Sequence, residues 1–271
     1  MASKSSKDIR QAVREHYGEV AQSSSSCCAP SCCSPETRKK KTADDVAGAL
    51  GYTAEELTAV PEGSNLGLGC GNPQAIASLK AGETVLDLGS GAGFDAFLAA
   101  RQVGTTGFVI GVDMTPDMVA KARSNAENGA FHNVEFRLGE IEHLPVANSS
   151  VDVIMSNCVI NLSPEKEKVF KEAFRVLKPG GRLAISDIVA TAELPKEAQQ
   201  DLALYTGCMA GASLVEDLER MLNESGFSEI KIKPKDESKS FIRDWAPGRK
   251  IEDFVVSATI EARKPAIPSV H

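Results

Sequence analysis

The 271-residue chain predicts an α/β fold: a doubly wound, mostly parallel sheet with helices on both faces, extended by additions at its N- and C-terminal ends. Three observations carry that prediction. Short apolar runs alternate with amphipathic segments of helical length between Glu83 and Val189. The first run passes at once into a glycine loop, Gly89-Ser90-Gly91-Ala92-Gly93, and then into a helical pattern. The second run, Phe108–Asp113, ends in an acid.

Taken in order, residues 7 to 21 set Ile9, Val13, His16, Tyr17 and Val20 at helical spacing. Composition then shifts. Four serines, Ser23–Ser26, lead into Cys27-Cys28-Ala29-Pro30-Ser31-Cys32-Cys33, which has too little apolar content to pack by itself and is expected to be a mobile tail. Thr42 caps a helix running to Leu50, with Gly51 as its stop, and Thr53 caps a second short one. Asn65–Pro73 holds three glycines and a proline and reads as a loop, with Cys70 in its middle. Strands are expected over Val85–Leu88, Phe108–Asp113, Val134–Leu138, Val151–Met155 and Arg182–Val189. Helices are expected over Gly93–Val103, Pro116–Asn128 and Pro164–Leu177, the last two with Thr115 and Ser163 as N-caps. Lys178–Gly181 stops the third. Further helices fall at Pro195–Tyr205 and Leu214–Ser225, and strands at Glu229–Lys233 and Asp253–Ile260 extend the sheet at its edge. Three regions result: an N-terminal helix and tail (1–41), a core (42–190) and a C-terminal α+β capping region (191–271).

The net charge of −7 and the lack of a broad basic surface argue against nucleic acid as a partner. The run Arg38-Lys39-Lys40-Lys41 reads as a flexible solvated segment. No stretch approaches the ~18 apolar residues of a membrane span, and the first residues lack the apolar centre of a signal peptide. A cytoplasmic protein with no membrane partner is expected. Thiols stay reduced there, and seven cysteines cannot all pair within one chain, so metal, redox or catalytic chemistry is the better reading of them.

The glycine loop narrows the ligand. Gly89 and Gly91 match the dinucleotide fingerprint, but Phe94 stands where its third glycine belongs. Asp87, at the mouth of the loop, would repel a pyrophosphate and attract a cationic amino group. Asp113 can accept hydrogen bonds from both hydroxyls of a ribose. Together they suit an adenosyl ligand without phosphate. Val85–Gly93 resembles the first motif of class I S-adenosylmethionine-dependent methyltransferases, and Gly111–Met114 their second. Gly139–Pro145 is similar to their adenine-binding segment, and Arg175–Gly181 to the turn before their fifth strand. The resemblance implies a Rossmann-like core and S-adenosyl-L-methionine as cofactor. It implies contacts from Asp87, Gly89, Ser90 and Gly91, from Asp113 and Met114, from Ile141 and Glu142, and from Asn157 at the end of the fourth strand.

Three cysteines lie outside the tail: Cys70, Cys158 and Cys208. Cys158 follows the fourth strand, at the edge where open parallel sheets bind ligands, and Cys70 and Cys208 sit among glycines rather than in apolar runs. Three thiolates about one point make a soft trigonal site. Zinc would take a fourth ligand or a water, and the C-x-x-C spacing of zinc modules is absent, so trivalent arsenic fits the set better. The segments Asn65–Pro73, Ser156–Leu162 and Gly207–Ala212 each resemble a cysteine motif of the arsenite methyltransferases, and so does Val13–Gly18 at the start of the chain. That resemblance implies As(III) at Cys70, Cys158 and Cys208, delivered as a thiol conjugate and methylated once or several times. It also implies a tail cysteine in disulfide exchange. Cys32 and Cys33 lie nearer the core, with Cys27 and Cys28 as competitors. A disulfide such as Cys70 with a tail cysteine would be reopened by an external thiol reductant, thioredoxin or glutathione. Two alternatives stay open: a small-molecule C- or O-methyltransferase of quinone type, which the core motifs allow equally, and a non-enzymatic arsenite or metal sequestration protein, which leaves Asp87 and Asp113 without a role.

Overall fold

The computed structural model describes residues 5–22 and 42–266. The cysteine-rich stretch with Cys27, Cys28, Cys32 and Cys33, expected to be a mobile tail, and the basic run 38–41 lie outside the described residues. Helices α1 (Ser6–Gln22), α2 (Ala43–Ala49), α3 (Ala54–Thr58) and α4 (Gln74–Ala77) precede the first strand. Eight strands follow: β1 (Thr84–Leu88), β2 (Phe108–Asp113), β3 (Val134–Leu138), β4 (Val151–Asn157), β5 (Leu177–Ala190), β6 (Ser213–Leu214), β7 (Ser228–Lys235) and β8 (Val255–Arg263). Between them run α5 (Phe94–Val103), α6 (Pro116–Asn128), α7 (Lys166–Val176), α8 (Lys196–Gln199), α9 (Leu202–Thr206), α10 (Val215–Glu224) and α11 (Lys239–Trp245). No helix among the described residues is long and apolar enough to cross a membrane.

All eight strands join one sheet in the order β3-β2-β1-β4-β5-β8-β7, with β6 beside β5. β1 pairs in parallel with β2 and β4, β2 with β3, and β4 with β5. β8 runs antiparallel to β5 and to β7, so the C-terminal strands extend the sheet at its edge, as the sequence predicts. Strand order reverses between β1 and β4. The loops leaving their carboxyl ends therefore diverge, and this switch point is the position at which doubly wound sheets take their ligands.

Side chains along a strand alternate between the two faces, and the core divides accordingly. Leu86, Leu88, Ile110, Val112, Ile154 and Leu183 pack on one face with Val169, Phe170 and Val176 of α7 and Leu218 and Leu222 of α10. Val85, Val109, Val153, Met155 and Ala184 pack on the other with Ala96, Phe97 and Ala100 of α5 and Val119 and Ala122 of α6. Both faces of the sheet are thus covered by helices. Ahead of the sheet, Thr42 with Asp45 and Thr53 with Glu56 form capping boxes at the starts of α2 and α3.

Several boundaries differ from expectation, each for a local reason. Thr115 stands at the N-cap of α6, but its side chain makes no capping bond; its N–H instead donates to Asp113 Oδ1 at 2.8 Å. Ser163 accepts from the Glu165 N–H at 3.1 Å and donates to Glu142 at 2.7 Å, and α7 begins only at Lys166. β5 starts at Leu177 rather than Arg182, because the turn that ends α7 pairs with the chain's end: Gly180 N–H with Lys264 C=O, and Lys264 N–H with Gly181 C=O, both at 2.9 Å. The single helix expected over Pro195–Tyr205 is two, since Asp201 Oδ1 caps α9 anew at the N–H groups of Ala203 and Leu204. Helices α4 and α11 have no clear sequence signal. They are four and seven residues long, and in α11 only Ile242 is buried.

Phe97 is fully buried against Phe131 and Phe136. Phe97→Ala is expected to destabilise the fold by about 3–5 kcal/mol, read as a lowered midpoint of urea unfolding.

Candidate active site

The glycine loop leaves β1 with Gly89 at φ +66°, where a Cβ would stand 2.3 Å from Val159 Cγ2. Only glycine lets the loop lie this close to the segment after β4. Asp113, at the end of β2, accepts the Gly91 N–H at 3.0 Å, and so holds the loop from the neighbouring strand. Asp87 is buried, its Oδ2 has no hydrogen-bond partner, and neither has the buried Ser90 Oγ. Burial pushes the Asp87 carboxyl well above the usual carboxylate range, and the nearby acids Asp95 and Asp113 push it further. A buried acid with one oxygen unpartnered, among other acids, fits a ligand that brings a cation and hydroxyl groups. The donor set therefore agrees with the amino and ribose groups of the expected cofactor.

Other expected cofactor residues have additional structural duties. Ile141 belongs to the apolar core. Glu142 Oε1 accepts from Arg10 Nη2 at 2.9 Å and from Ser163 Oγ at 2.7 Å, which ties the 139–145 loop to α1 and to the approach of α7. Arg10 also pairs with Glu165. Asn157 Oδ1 accepts the Cys70 N–H at 3.0 Å, and its Nδ2 donates to Gly71 C=O at 2.8 Å. Met114 packs against the cluster that contains the three cysteines, so the expected cofactor and cysteine sites adjoin.

Cys70, Cys158 and Cys208 are free thiols, all buried, in one cluster. Three loops bring them together: the one before α4, the one after β4 and the one after α9. Cys158 is the middle thiol, interacting with both others. Its Sγ, Cys70 Sγ and a carboxylate oxygen of Asp187 lie within 4.8 Å of one another. Cys208 Sγ donates to the Cys158 carbonyl oxygen at 2.6 Å. Cys158 and Cys208 have φ of +60° and +64°, a left-handed backbone that non-glycine residues seldom adopt. Burial pushes the Cys70 thiol up to about 11 and raises Cys158 well above the ordinary thiol range; Cys208 is raised by its contact with Cys158 and by burial. All three are neutral thiols near pH 7.

Sequence reasoning missed several residues here. Asp187, near the end of β5, accepts from Ile160 N–H at 2.9 Å and Asn161 Nδ2 at 2.9 Å, and burial pushes its carboxyl up to about 6. An acid inside the apolar strand Ala184–Val189 was the available signal. Asp95 accepts from Tyr52 Oη at 2.7 Å, another buried pair, and stands out as an acid in an apolar helix. Lys166 Nζ donates to Gly211 C=O at 2.7 Å, across to the Cys208 loop. Tyr17 of α1 donates to Thr206 C=O at 3.2 Å, two residues before Cys208.

A family profile described as a methyltransferase domain matches residues 79–226. The chain is 54% identical over 270 residues to an arsenite methyltransferase of Halobacterium salinarum, covering 98% of this chain and 69% of that one. It is 40% identical to an arsenite methyltransferase of Aquipseudomonas alcaligenes, covering 83% of this chain and 63% of that one. Among solved structures it is similar to an arsenic(III) S-adenosylmethionine methyltransferase from Chlamydomonas reinhardtii. That match has 34% identity and a TM-score of 0.59, over 83% of this chain and 74% of the other.

Two outcomes follow from the buried acid and thiols. At pH 8 the Cys70 thiolate fraction is roughly a hundredfold below that of an ordinary cysteine, so iodoacetamide is expected to label Cys70 in the folded protein that much more slowly than in the unfolded chain. Protonated Asp87 is the form that the ligand-free fold favours. Its contribution is full below about pH 4 and is lost as pH rises through its elevated native value. Asp87→Asn is therefore expected to raise the melting temperature at pH 8, with the gain shrinking in acid, as thermal melts across pH would show.

Proposed function

Because the chain belongs to the arsenite methyltransferases, we propose that it transfers the methyl group of S-adenosylmethionine to trivalent arsenic held by the sulfurs of Cys70, Cys158 and Cys208. The observation that carries this reading is the meeting of three buried cysteines from three separate loops beside the Asp87–Gly91 corner.

Charge supports arsenic over a divalent metal. Burial that keeps the thiols neutral also disfavours any site with net charge. Three thiolates on a divalent ion leave an uncompensated negative charge, whereas three on As(III) leave none. Exchange with an arsenic–thiol conjugate balances: each cysteine sulfur bonds arsenic, and its proton goes to the departing thiolate.

Bound S-adenosylmethionine supplies a sulfonium methyl. The chain's residues then hold and aim. Asp87 takes the cationic amino group, Asp113 the ribose, and the three sulfurs keep the arsenic lone pair directed at the methyl. The As–C bond forms as the S–CH3 bond breaks, and arsenic rises formally to the pentavalent state. No proton leaves the nucleophile, so no general base is needed. Two thiolates can return the electron pair by closing a disulfide, such as Cys70 with Cys32 or Cys33, which a thioredoxin- or glutathione-type thiol reopens.

Mass spectrometry of the arsenic products, after incubation with arsenite, S-adenosylmethionine and a thiol, tests the reaction. Methylated arsenicals are expected, with a rate lowered roughly a hundredfold or more in Cys158→Ser; full activity in that variant would end the three-sulfur reading. Serine at Cys27, Cys28, Cys32 and Cys33 together is expected to slow turnover, most strongly beyond the first methylation. Calorimetry near pH 7.5 in buffers of different ionisation heat should find no net proton exchange on arsenite binding; uptake of two or more protons would show ionised thiols and contradict neutral exchange.

A further inference from the structure

Two asparagines bracket the middle thiol in Asn157-Cys158-Val159-Ile160-Asn161. Each holds a different neighbouring loop. Asn157 takes the Cys70 N–H on its Oδ1 at 3.0 Å and gives its Nδ2 to Gly71 C=O at 2.8 Å, so it grips the backbone on both sides of the Cys70 side chain. Tyr52 Oη at 3.1 Å and Asp95 Oδ2 at 3.2 Å share the same amide hydrogens, which leaves Asn157 no free donor. Asn161, 2% exposed, faces the other way. Its Nδ2 donates to Ile188 C=O at 2.6 Å and Asp187 Oδ1 at 2.9 Å, and lies 3.3 Å from Cys208 C=O as a shared, longer contact. Its own carbonyl sits against Gly211 of the Cys208 loop so closely that a Cβ there would stand 2.1 Å away.

We infer that Asn157 and Asn161 are positioning residues that set the spacing of the three thiols, Asn157 for Cys70 and Asn161 for Cys208, with Cys158 fixed between them at the end of β4. The inference rests on the arsenic-binding reading for its purpose, while the geometry it describes stands without arsenic. A trivalent centre needs all three sulfurs at bonding distance together. Loops differ in how readily they open, so two of the three thiols need an outside hold. One five-residue segment supplies both holds and the third sulfur. Asn157, expected from the sequence to contact the cofactor, is thereby given a different primary role.

The two roles cross, which makes them separable from a general loss of stability. In Asn157→Ala, alkylation of Cys70 is expected to accelerate roughly tenfold while Cys208 is unchanged; in Asn161→Ala the reverse is expected, each read by peptide mass spectrometry. Equal acceleration at both cysteines, or none at either, overturns the inference. X-ray absorption of the arsenite complexes provides the second readout: three sulfur neighbours in the unaltered chain and two in each variant. Adding Cys208→Ser should change nothing further in Asn161→Ala and should remove a second sulfur in Asn157→Ala. Should Asn161→Ala not fold, Gly211→Ala pushes the same loop off the Asn161 carbonyl, and Gly69→Ala, whose Cβ would come within 2.8 Å of Asn157 Nδ2, disturbs the Cys70 side. The crossed pattern must reappear there. S-adenosylmethionine affinity, measured in parallel, should be unchanged in Asn161→Ala and in Gly211→Ala. An unaltered chain that labels as described but shows no three-sulfur arsenic removes the arsenic reading and leaves the hydrogen-bonded roles of the asparagines intact.

Discussion

Removing three sulfur atoms from water in one small volume sets the terms for much of this molecule. A thiol there resists ionisation, because burial disfavours its charged form. Leu162, Ile188, Leu204, Met209, Ile242 and Val255 close around the cysteines, drawn from the sheet, from α9 and the loop after it, from α11 and from the loop after β4. The α+β segment that follows β5 is therefore more than an appendage: part of it walls the cysteine cluster, and part of it completes the sheet.

Helix α1 braces the same region from the other side. Arg10 reaches the loop that follows β3, and Tyr17 reaches the carbonyl two residues before Cys208. The Arg10–Glu142 pair is largely withdrawn from solvent, with side chains 16% and 3% exposed, so removing Arg10 would leave the Glu142 carboxylate with the Ser163 hydroxyl as its remaining hydrogen-bond partner. One rigid helix thus spans the loop expected to hold the adenine and the loop of the third thiol.

Much of this was legible in the sequence. The strand–loop–helix rhythm from Val85 to Val189 fixes a doubly wound sheet, because alternation and length leave few other arrangements. The three cysteines were legible because each lies at a loop in a chain without disulfide context. Asn161 was hidden, and Asp187 showed only as an acid in an apolar strand: what each does appears only when β4, β5 and the 207–211 loop meet, and no local pattern encodes that meeting. The boundary differences have the same origin. Ser163 serves a buried Glu142 from far along the chain, and the turn before β5 is pulled into strand by residues at the chain's end. Propensity describes neighbours in sequence, and these contacts are between strangers.

The unpartnered oxygen of Asp87 has a consequence for how the crevice fills. In the ligand-free protein burial, with Asp95 and Asp113 close by, shifts that carboxyl toward its protonated form. A ligand arriving with an ammonium group makes the ionised form the better one, so the proton leaves as the cation enters. On the role proposed for Asp87, the crevice would act as an ion exchanger, giving up one positive charge for another. Loading would then be linked to solution acidity, tightening as protons become scarce, even though the methyl transfer itself moves none.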